Sequence, residues 1–405
     1  MNILPNSFEP ISLKRLASLN PYVSLPKSGA VDYVPMENIH QGYLDHQTEE
    51  ISSLPSSLNA FSEGDILLAK VTPCFENGNI AIASNLLTGV GLCSTELFVL
   101  RIHSDKILPE YLMLLLQDDQ FKKEAKSYMR GTGGLKRIPT DWLMSRKFLI
   151  PSLKHQRLII QAMSSSDSLI QDIQKGFKET LDRLSSYRQS LITRAVTKGL
   201  DPNVEMKDSG YDIANNIPIH WVTIKLQYLC KLATGNQDTQ DAVPDGQYPF
   251  YVRSPTIERT NHVTYSGTGI LMAGDGVGAG KVFHYAEGQY GIHQRVYLLS
   301  EISDLIDPKY LFFYIKTIFS CEVERGTAKS TVPSIRMPML TRFLVCVPPK
   351  REQIEIRDYC QKVEEKTEAI SEDIKNNIHL LKEYRSSLIS AAVTGQLAID
   401  EEASA

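Results

Sequence analysis

Apolar residues recur three and four positions apart along two long stretches of the chain, which predicts two long helices. The first stretch extends from about His155 to Val196 without an internal proline, and the second from Ile356 to Leu388. The first helix would be roughly 60 Å long at ~1.5 Å per residue. The predicted apolar stripes are Ile159, Ala162, Ser166, Leu169, Ile173, Gly176, Thr180, Leu184, Tyr187 and Leu191, and then Ile356, Tyr359, Val363, Lys366, Ile370, Asp373, Asn377, Leu381, Tyr384 and Leu388. Polar members weaken these stripes, but because an isolated helix cannot bury its apolar side, we expect the two helices to pair.

The regions ahead of the two long helices alternate short strands with short helices. Apolar runs bounded by Gly, Asn and Pro predict strands at residues 65–71, 79–83, 96–102, 270–273 and 295–299. Proline at the first turn predicts helices at Pro109–Leu116 and Pro308–Phe319. A chain of 405 residues is long enough for two or three domains, and these patterns favour mixed α/β domains.

The chain contains an internal sequence repeat. Leu184–Leu200 and Leu381–Leu397 share ten identities in 17 positions, and Gln156 has a counterpart 197 residues later in Gln353. The predicted fold class is therefore α/β (α+β) domains in two copies, separated by two long helices that form an antiparallel coiled coil, with an internal pseudo-twofold repeat. The predicted boundaries are 1–150 for the first domain, 151–198 for its helix, 199–215 for a linker, 216–347 for the second domain, 348–397 for its helix and 398–405 for an acidic tail.

The overall charge does not indicate a nucleic-acid partner, but its distribution does. The net charge is −4, whereas dedicated nucleic-acid binders are usually basic. Residues 121–147 and residues 309–351 nonetheless each contain eight Lys or Arg against two acidic residues. The chain has no apolar run of ~18 residues and no CxxC pair among its six cysteines. Residues 1–5 show no basic region followed by an apolar core, so no signal peptide is expected. We therefore expect a cytoplasmic protein with no membrane span, disulfide framework or zinc site.

Several segments resemble the specificity subunits of type I restriction–modification systems. Ser185–Leu200, Met206–Gly210 and Ile217–Trp221 are similar to the central region of that family, Thr394–Leu397 is similar to the end of its second such region, and Ser94–Leu100 resembles a strand of its target recognition domains. The resemblance covers nearly the whole chain.

The resemblance implies two target recognition domains, each of which reads half of a bipartite, asymmetric site in double-stranded DNA. It also implies that the helices dock two modification (methyltransferase) subunits, which ATP-dependent restriction subunits join. No cofactor is expected on this chain, because S-adenosylmethionine, ATP and Mg²⁺ would be bound by the partners. The chain is thus expected to be non-catalytic, and it contains no [NDS]-P-P-[YFW] methyltransferase motif. A self-contained DNA methyltransferase and a coiled-coil adaptor that does not read DNA are the alternatives.

Two basic, hydroxyl-rich loops, residues 130–137 and residues 325–331, are the first candidates for DNA contact, with ordinary solvated loops as the alternative. Glycine admits close backbone approach, Lys and Arg bind phosphate, and an Arg fork can read guanine. Lys70–Asn79 and Gly274–Lys281 are predicted to be hairpins that face DNA; the second lacks the P-loop pattern. The candidate DNA-contacting residues are Lys70, Thr72, Asn79, Ser94, Thr95, Arg130, Thr132, Lys136, Arg137, Lys281, His293, Gln294, Arg295, Arg325, Thr327, Lys329 and Ser330.

Two Tyr-Arg pairs near the ends of the long helices are candidates for partner docking, or they stabilise the helix pair. They are Tyr187 with Arg188 and Tyr384 with Arg385. No catalytic residue is predicted, and the nine histidines show no HxxxH or HExxH spacing for a metal.

If the helices fix the distance between the two DNA readers, helical turns inserted or deleted between Leu158 and Leu184 will change the number of unread base pairs between the half-sites. Sequencing of methylated bases in cells that carry such variants measures this number. An unchanged gap would show that the helices do not set the spacing.

Overall fold

The computed structural model describes residues 8–132, 134–327 and 334–397. The protein divides into two compact units: the first contains the described residues up to Phe177 and from Asn376 onward, and the second contains Lys178–Lys375. Both long helices cross this division, so each unit contains the start of one helix and the end of the other.

The first unit is built from two four-stranded sheets, one two-stranded pair and short helices. Its elements are β1 (Glu9–Ser12), β2 (Ala17–Leu19), β3 (Ala30–Val34), β4 (Gln47–Glu50), β5 (Asn59–Ser62), β6 (Ile66–Ala69), β7 (Ile80–Ile82), β8 (Val90–Cys93), β9 (Leu97–Ile102), α1 (Pro109–Gln117), α2 (Asp119–Tyr128), α3 (Thr140–Ser145), β10 (Lys147–Ile150) and the start of α4 (Leu153–Lys198). One sheet has the order β2-β9-β6-β7, and the other has the order β4-β3-β8-β5 with β3 and β8 parallel. β1 pairs with β10, so the sequence-distant ends of this fold meet just before α4 begins.

The β2-β9-β6-β7 sheet is buried on both faces. Ile66 and Leu68 pack in the cluster that contains the apolar side of α1, whereas Leu67 packs with Phe61 of the other sheet. Successive side chains of a strand point to opposite faces. A strand covered by helices on one side and by a second sheet on the other therefore needs an unbroken apolar run, as in Ile66–Ala69.

The second unit repeats this arrangement of elements. They are β11 (Met206–Asp208), β12 (Asn216–Pro218), β13 (Val222–Lys225), β14 (Lys231–Thr234), β15 (Tyr248–Tyr251), β16 (Glu258–Thr260), β17 (Tyr265–Ser266), β18 (Gly269–Ala273), β19 (Phe283–Ala286), β20 (Gln289–Ile292), β21 (Val296–Ser300), α5 (Pro308–Tyr314), α6 (Ser320–Thr327), α7 (Met337–Arg342), β22 (Leu344–Val347) and the start of α8 (Lys350–Val393). The sheet orders are β14-β21-β18-β19 and β16-β15-β20-β17, with β15 and β20 parallel. β13 pairs with β22, as β1 does with β10.

The strands and proline-initiated helices predicted from the sequence are confirmed, with two additions. A π-helical turn, Ile315–Phe319, joins α5 to α6, so the second predicted helix is not a regular α-helix along its whole length. β11 and β12 form a short antiparallel pair within and just after the predicted linker. Ile217 and Trp221, in and after β12, are buried in the core of the second unit.

A buried glutamine attaches α4 to the first unit. Gln156 has 0% exposure. Its side-chain oxygen accepts the N–H of Leu108 at 2.9 Å, and its NH₂ group donates to the carbonyls of Lys106 at 2.7 Å and Pro151 at 2.9 Å. One side chain thus joins the segment that precedes α1 to the first turn of the long helix.

Gln353 makes the same three hydrogen bonds in the second unit. Its oxygen accepts the N–H of Asp307 at 2.6 Å, and its NH₂ group donates to the carbonyls of Leu305 at 2.9 Å and Pro348 at 2.8 Å. It is 1% exposed. The glutamine that the sequence aligns with Gln156 therefore attaches α8 in the same way.

The long helices run antiparallel within each unit. In the first unit Ile159 of α4 packs in one cluster with Ile389 of α8, and farther along α4 the carboxylate of Asp167 accepts two hydrogen bonds from Arg385, at 2.8 and 2.9 Å. In the second unit the end of α4 and the start of α8 share a cluster, which includes Val196. Paired long helices, as expected from the sequence, are confirmed.

The row of residues predicted to face the helix partner is partly wrong. Leu169 and Tyr384 belong to the predicted stripes but are 62% and 57% exposed, whereas Met163, Ile170 and Ile374 are buried. Each of these three buried residues follows a predicted stripe position by one. A straight helix has 3.6 residues per turn and drifts relative to a heptad repeat, so the buried row moves off a strict heptad.

Replacing Gln156 by Leu leaves one N–H and two carbonyl groups buried without their side-chain partner. Because each such group costs about 1–3 kcal/mol, we expect the first unit to lose about 3 kcal/mol of stability. Hydrogen-exchange mass spectrometry should show faster exchange around Leu108 and no change in the second unit. Gln161→Leu, at an exposed position of α4, is the matched control, and equal effects of the two substitutions would contradict this role for Gln156.

Candidate nucleic-acid interface

Three segments of the first unit meet at the end of β6. The N–H of Lys70 donates to the carbonyl of Glu96 at 3.1 Å, and the carbonyl of Lys70 accepts the N–H of Ile138 at 3.0 Å. Arg130 and Arg137 exchange backbone hydrogen bonds of 3.0 and 2.8 Å, which draw the two ends of the predicted basic loop together. The loop therefore lies beside the β8–β9 turn and the residues that follow β6.

Thr72 holds this loop to the rest of the unit. Its hydroxyl donates to the carbonyl of Gly134 at 2.6 Å and accepts the N–H of Lys136 at 3.0 Å. Its own N–H donates to the carbonyl of Lys136, also at 3.0 Å. Thr72 is 8% exposed, so its hydroxyl is used inside the protein to position Lys136.

The exposed side chains of this cluster are cations and hydroxyls. Arg130, Thr132 and Lys136 are exposed on the loop, and Thr95 is exposed on the neighbouring β8–β9 turn. This is the combination that contacts the phosphates and sugars of DNA.

Three further candidates in the first unit are half-buried: Lys70, Asn79 and Ser94. The ammonium of Lys70 lies 5.6 Å from the centre of the Phe98 ring. Asn79 ends the β6–β7 hairpin, and the hydroxyl of Ser94 accepts the N–H of the residue two positions later at 3.2 Å. The structure thus brings all eight other candidates of this unit to the neighbourhood of the Thr72 support.

Arg137 is paired with Glu96. Nε and Nη2 of the arginine donate to the two carboxylate oxygens at 2.9 and 2.7 Å. The hydrogen bond from Arg137 lowers the pKa of Glu96 below its usual value, so the carboxylate is charged at neutral pH. Glu96 was not predicted from the sequence, because a partner 41 residues away leaves no local signal.

The second unit forms the same backbone hydrogen bonds at the end of β18. The N–H of Gly274 donates to the carbonyl of Arg295 at 2.9 Å, and the carbonyl of Gly274 accepts the N–H of Ile335 at 2.8 Å. Gly274 thus occupies the place of Lys70, and Arg295 occupies the place of Glu96. The same three segments meet in both units, with different side chains.

Two arginines of the second unit share one carboxylate. Asp275 accepts a hydrogen bond from Nη1 of Arg253 at 3.0 Å and another from Nη1 of Arg295 at 2.5 Å. Burial alone would raise the pKa of Asp275, but the hydrogen bonds from the two arginines outweigh it and hold the pKa below its usual value. Arg295 was predicted from the sequence, whereas its partners Asp275 and Arg253 lie on other segments and were not.

His293 and Gln294, in the same turn as Arg295, differ in exposure. His293 is 2% exposed, and its Nδ1 accepts the N–H of Arg295 at 3.0 Å. Burial lowers the pKa of His293, so the ring is neutral at pH 7 and supports the turn. Gln294 is exposed, and its amide donates to Asp238 at 3.0 Å.

Residues 274–281 form the turn of a hairpin, as predicted, and not a nucleotide-binding loop. The 3₁₀ turn Gly276–Gly278 is followed by strand β19 instead of a helix. Gly276 and Gly280 have φ of 71° and 68°, a conformation that favours glycine. Lys281 is exposed at the end of the turn, and the corresponding segment of the first unit joins β6 to β7.

The second predicted basic loop is described only in part. Arg325 and Thr327 lie in the last turn of α6, of which only the backbone is described here, so the expectation of a loop from residue 325 is wrong for this turn. Lys329 and Ser330 lie outside the described residues.

The candidates for partner docking differ in what they contact. Tyr187 and Tyr384 are 59% and 57% exposed, and Arg188 is half-buried. The guanidinium of Arg385 is bound by Asp167. Arg385 therefore stabilises the helix pair, which is the alternative that the sequence left open, and the two tyrosines present free surface.

Metal and membrane features were also sought in the part of the chain that the structure describes. No group of three or more His, Cys, Asp or Glu residues there is placed to hold a metal ion. No helix there is long and apolar enough to cross a membrane. Cys74, Cys93, Cys230, Cys346 and Cys360 are free thiols.

Comparison with known proteins gives a family match for part of the chain. Residues 218–380 match the family model of the Type I restriction modification DNA specificity domain. These residues extend from β12 into α8 and include the Asp275 cluster. The match confirms the resemblance predicted from the sequence.

One relative is the Type I restriction enzyme EcoAI specificity subunit of Escherichia coli, 32% identical over 206 residues; the match covers 50% of this chain and 34% of that protein. The chain thus spans about a third of the length of the curated relatives EcoAI and EcoEI. A chain from a solved structure of a type I R-M system has a TM-score of 0.72 at 18% identity and covers 97% of this chain and 99% of its own length. The HsdS subunit from Thermoanaerobacter tengcongensis has a TM-score of 0.50 at 18% identity and covers 97% and 98%. At these identities the two solved structures show the fold.

Replacing Thr72 by Val removes both side-chain hydrogen bonds to the basic loop but keeps the shape of the side chain. We expect amide exchange around Lys136 to accelerate and the free energy of unfolding to fall by about 1–2 kcal/mol. Hydrogen-exchange mass spectrometry and chemical denaturation measure the two effects. Thr72→Ser keeps the hydroxyl and should restore slow exchange; equally fast exchange in both variants would argue against support through the hydroxyl.

Proposed function

We propose that this chain is the DNA sequence-recognition subunit of a type I restriction–modification enzyme and reads a bipartite, asymmetric site in double-stranded DNA. The observation that carries the proposal is the pair of loop clusters. Each unit presents exposed cations on segments that the same backbone hydrogen bonds hold together. The match of residues 218–380 to the specificity-domain family model supports the proposal. Because the curated relatives are matched over only part of their length, partners and substrate belong to the proposal too.

The proposed organisation is an internal pseudo-twofold repeat. Residues 1–150 and 216–347 are the target recognition domains, each followed by a long helix, 151–198 and 348–397, with 199–215 as the linker and 398–405 as an acidic tail. The matching strand orders support the repeat. The antiparallel contacts of α4 and α8 in each unit support a coiled coil.

Different side chains at equivalent positions make the two half-sites different. The first unit exposes Arg130, Lys136 and Arg137, whereas the second exposes Lys281 and Arg295. Contacts to phosphate position a protein on DNA, and contacts to base edges in the major groove carry the sequence information. Because the two units carry different side chains for contact with base edges, their half-sites need not be related by symmetry.

The proposed partners are two modification (methyltransferase) subunits and ATP-dependent restriction subunits. These partners bind S-adenosylmethionine, ATP and Mg²⁺, so this chain acts as a non-catalytic reader and scaffold. The exposed Tyr187 and Tyr384 are its candidate docking residues. A net charge of −4 favours a complex in which partners supply part of the phosphate contact, since that contact dominates affinity.

Deleting the gene for this chain should remove one bipartite methylated motif from the host genome, and the intact gene should restore it. Sequencing of methylated bases measures both results. Survival of every motif after deletion would overturn the proposal.

Purified components separate the remaining alternatives. The chain alone should transfer no methyl group from S-adenosylmethionine to DNA, whereas the chain with its modification subunits should. Transfer by the chain alone would favour a self-contained methyltransferase. A fluorescence titration of the assembled complex should show tighter binding to the motif than to a scrambled sequence, and equal binding would favour an adaptor that does not read DNA.

A further inference from the structure

The Arg137–Glu96 pair leaves one edge of the guanidinium free. A guanidinium has five N–H donors in one plane. Glu96 uses two donors of Arg137, one on Nε and one on Nη2. The remaining donors, two on Nη1 and one on Nη2, lie on the edge that faces away from the carboxylate. The side chain is 47% exposed, so this edge is accessible to a ligand.

In the second unit Asp275 uses fewer N–H donors of each arginine than Glu96 uses of Arg137. It accepts one hydrogen bond from Arg295 and one from Arg253, each from Nη1, so each arginine keeps four donors. The two arginine side chains are 60% and 43% exposed. A cavity of about 280 Å³ lies beside Arg295 and is lined in part by Asp275, Gln294 and Arg295. Arg295 thus borders a concave surface together with the polar side chain of Gln294.

A carboxylate behind an arginine favours a base edge over a phosphate as its ligand. The ion pair cancels part of the attraction to phosphate, which depends on net charge. It also holds the guanidinium plane in one orientation, so less side-chain entropy is lost when two parallel hydrogen bonds form. The O6 and N7 atoms of guanine match such a fork, and this is the commonest specific contact in the major groove.

We propose that each unit reads a guanine through an arginine backed by a carboxylate, Arg137 with Glu96 in the first unit and Arg295 with Asp275 in the second. Arg253 shares Asp275 and holds that carboxylate in place. This inference rests on the proposed function and deepens it, because it names one base in each half-site. The lowered pKa values of both carboxyl groups keep the two ion pairs intact at neutral pH.

One pair of equivalent positions, Glu96 and Arg295, carries opposite charge in the two units. The turn that carries the acidic residue Glu96 in the first unit carries the basic residue Arg295 in the second. Arg137 instead belongs to the segment that precedes α3. The arginine therefore approaches DNA from a different segment in each unit, and the guanine occupies a different place in each half-site.

Methylation motifs of carboxylate variants test the proposal in the assembled complex of this chain with its modification subunits. Glu96→Gln should reduce the preference for guanine about tenfold or more at one position of one half-site, and Asp275→Asn should do so in the other half-site. The half-site that a variant does not touch is an internal control for folding. Glu9→Gln removes another exposed carboxylate of the first unit, paired with Lys106, and should leave the motif unchanged.

Arg137→Lys and Arg295→Lys separate base reading from charge. Lysine keeps the charge but lacks the fork, so binding to unrelated DNA should persist while the guanine preference falls. The lysine variants also test guanine reading if a carboxylate variant fails to fold. A failure to fold would abolish recognition of both half-sites together.

Three results would overturn the inference and leave the proposed function standing. They are a wild-type half-site with only A·T pairs, an unchanged motif in both carboxylate variants that still methylate DNA, and an unchanged guanine preference in the lysine variants. If the proposed function itself were wrong, no bipartite methylated motif would depend on this chain.

Discussion

A buried amide side chain fixes the first turn of each long helix to its own unit. Gln156 and Gln353 each satisfy one N–H and two carbonyl groups that come from two separate segments. Rotating the helix about its axis, or sliding it by one residue, would leave these groups buried without partners, and each costs about 1–3 kcal/mol. The first turn of each helix therefore has one position relative to its own unit. The sheets, the loops at their ends and the candidate DNA contacts therefore have a fixed position relative to the first turn of the helix.

The second constraint is the hydrogen-bonded junction at the end of β6 and of β18. In both units one residue after the strand joins two other segments through its N–H and its carbonyl. Side chains on three separate segments are thereby gathered into one small surface. The ion pairs of Arg137 and Arg295 form across this junction, so the orientation of each guanidinium depends on segments far apart in the sequence. The arrangement of these side chains therefore requires the complete fold of the unit.

Much of the fold could be predicted from the sequence, because its signals are local. Apolar runs such as Ile66–Ala69 mark strands buried on both faces, and the absence of proline marks α4. The stripe that faces the helix partner was displaced by one position at Leu169, since a strict heptad differs from the period of a straight helix. The carboxylate partners Glu96 and Asp275 could not be predicted, because ion pairs between distant segments depend on how those segments meet. The exposure of single residues could not be predicted either, because nothing local in the sequence distinguishes the buried His293 from the exposed residue that follows it.

The junction at the strand ends is made of main-chain atoms alone, which has a consequence for how the protein can change over generations. Lys70 and Gly274 make the same bonds although their side chains have nothing in common. Glu96 and Arg295 likewise occupy one place with opposite charge. A change of side chain at Glu96 or Arg295 keeps the backbone bonds of the junction, whereas a side chain added at Gly274 would meet the carbonyl oxygen of Arg295 at 2.9 Å. Under the proposed function, a change of side chain at Glu96 or Arg295 alters the DNA-facing surface of one unit and leaves the hydrogen-bonded junction of both units as it is.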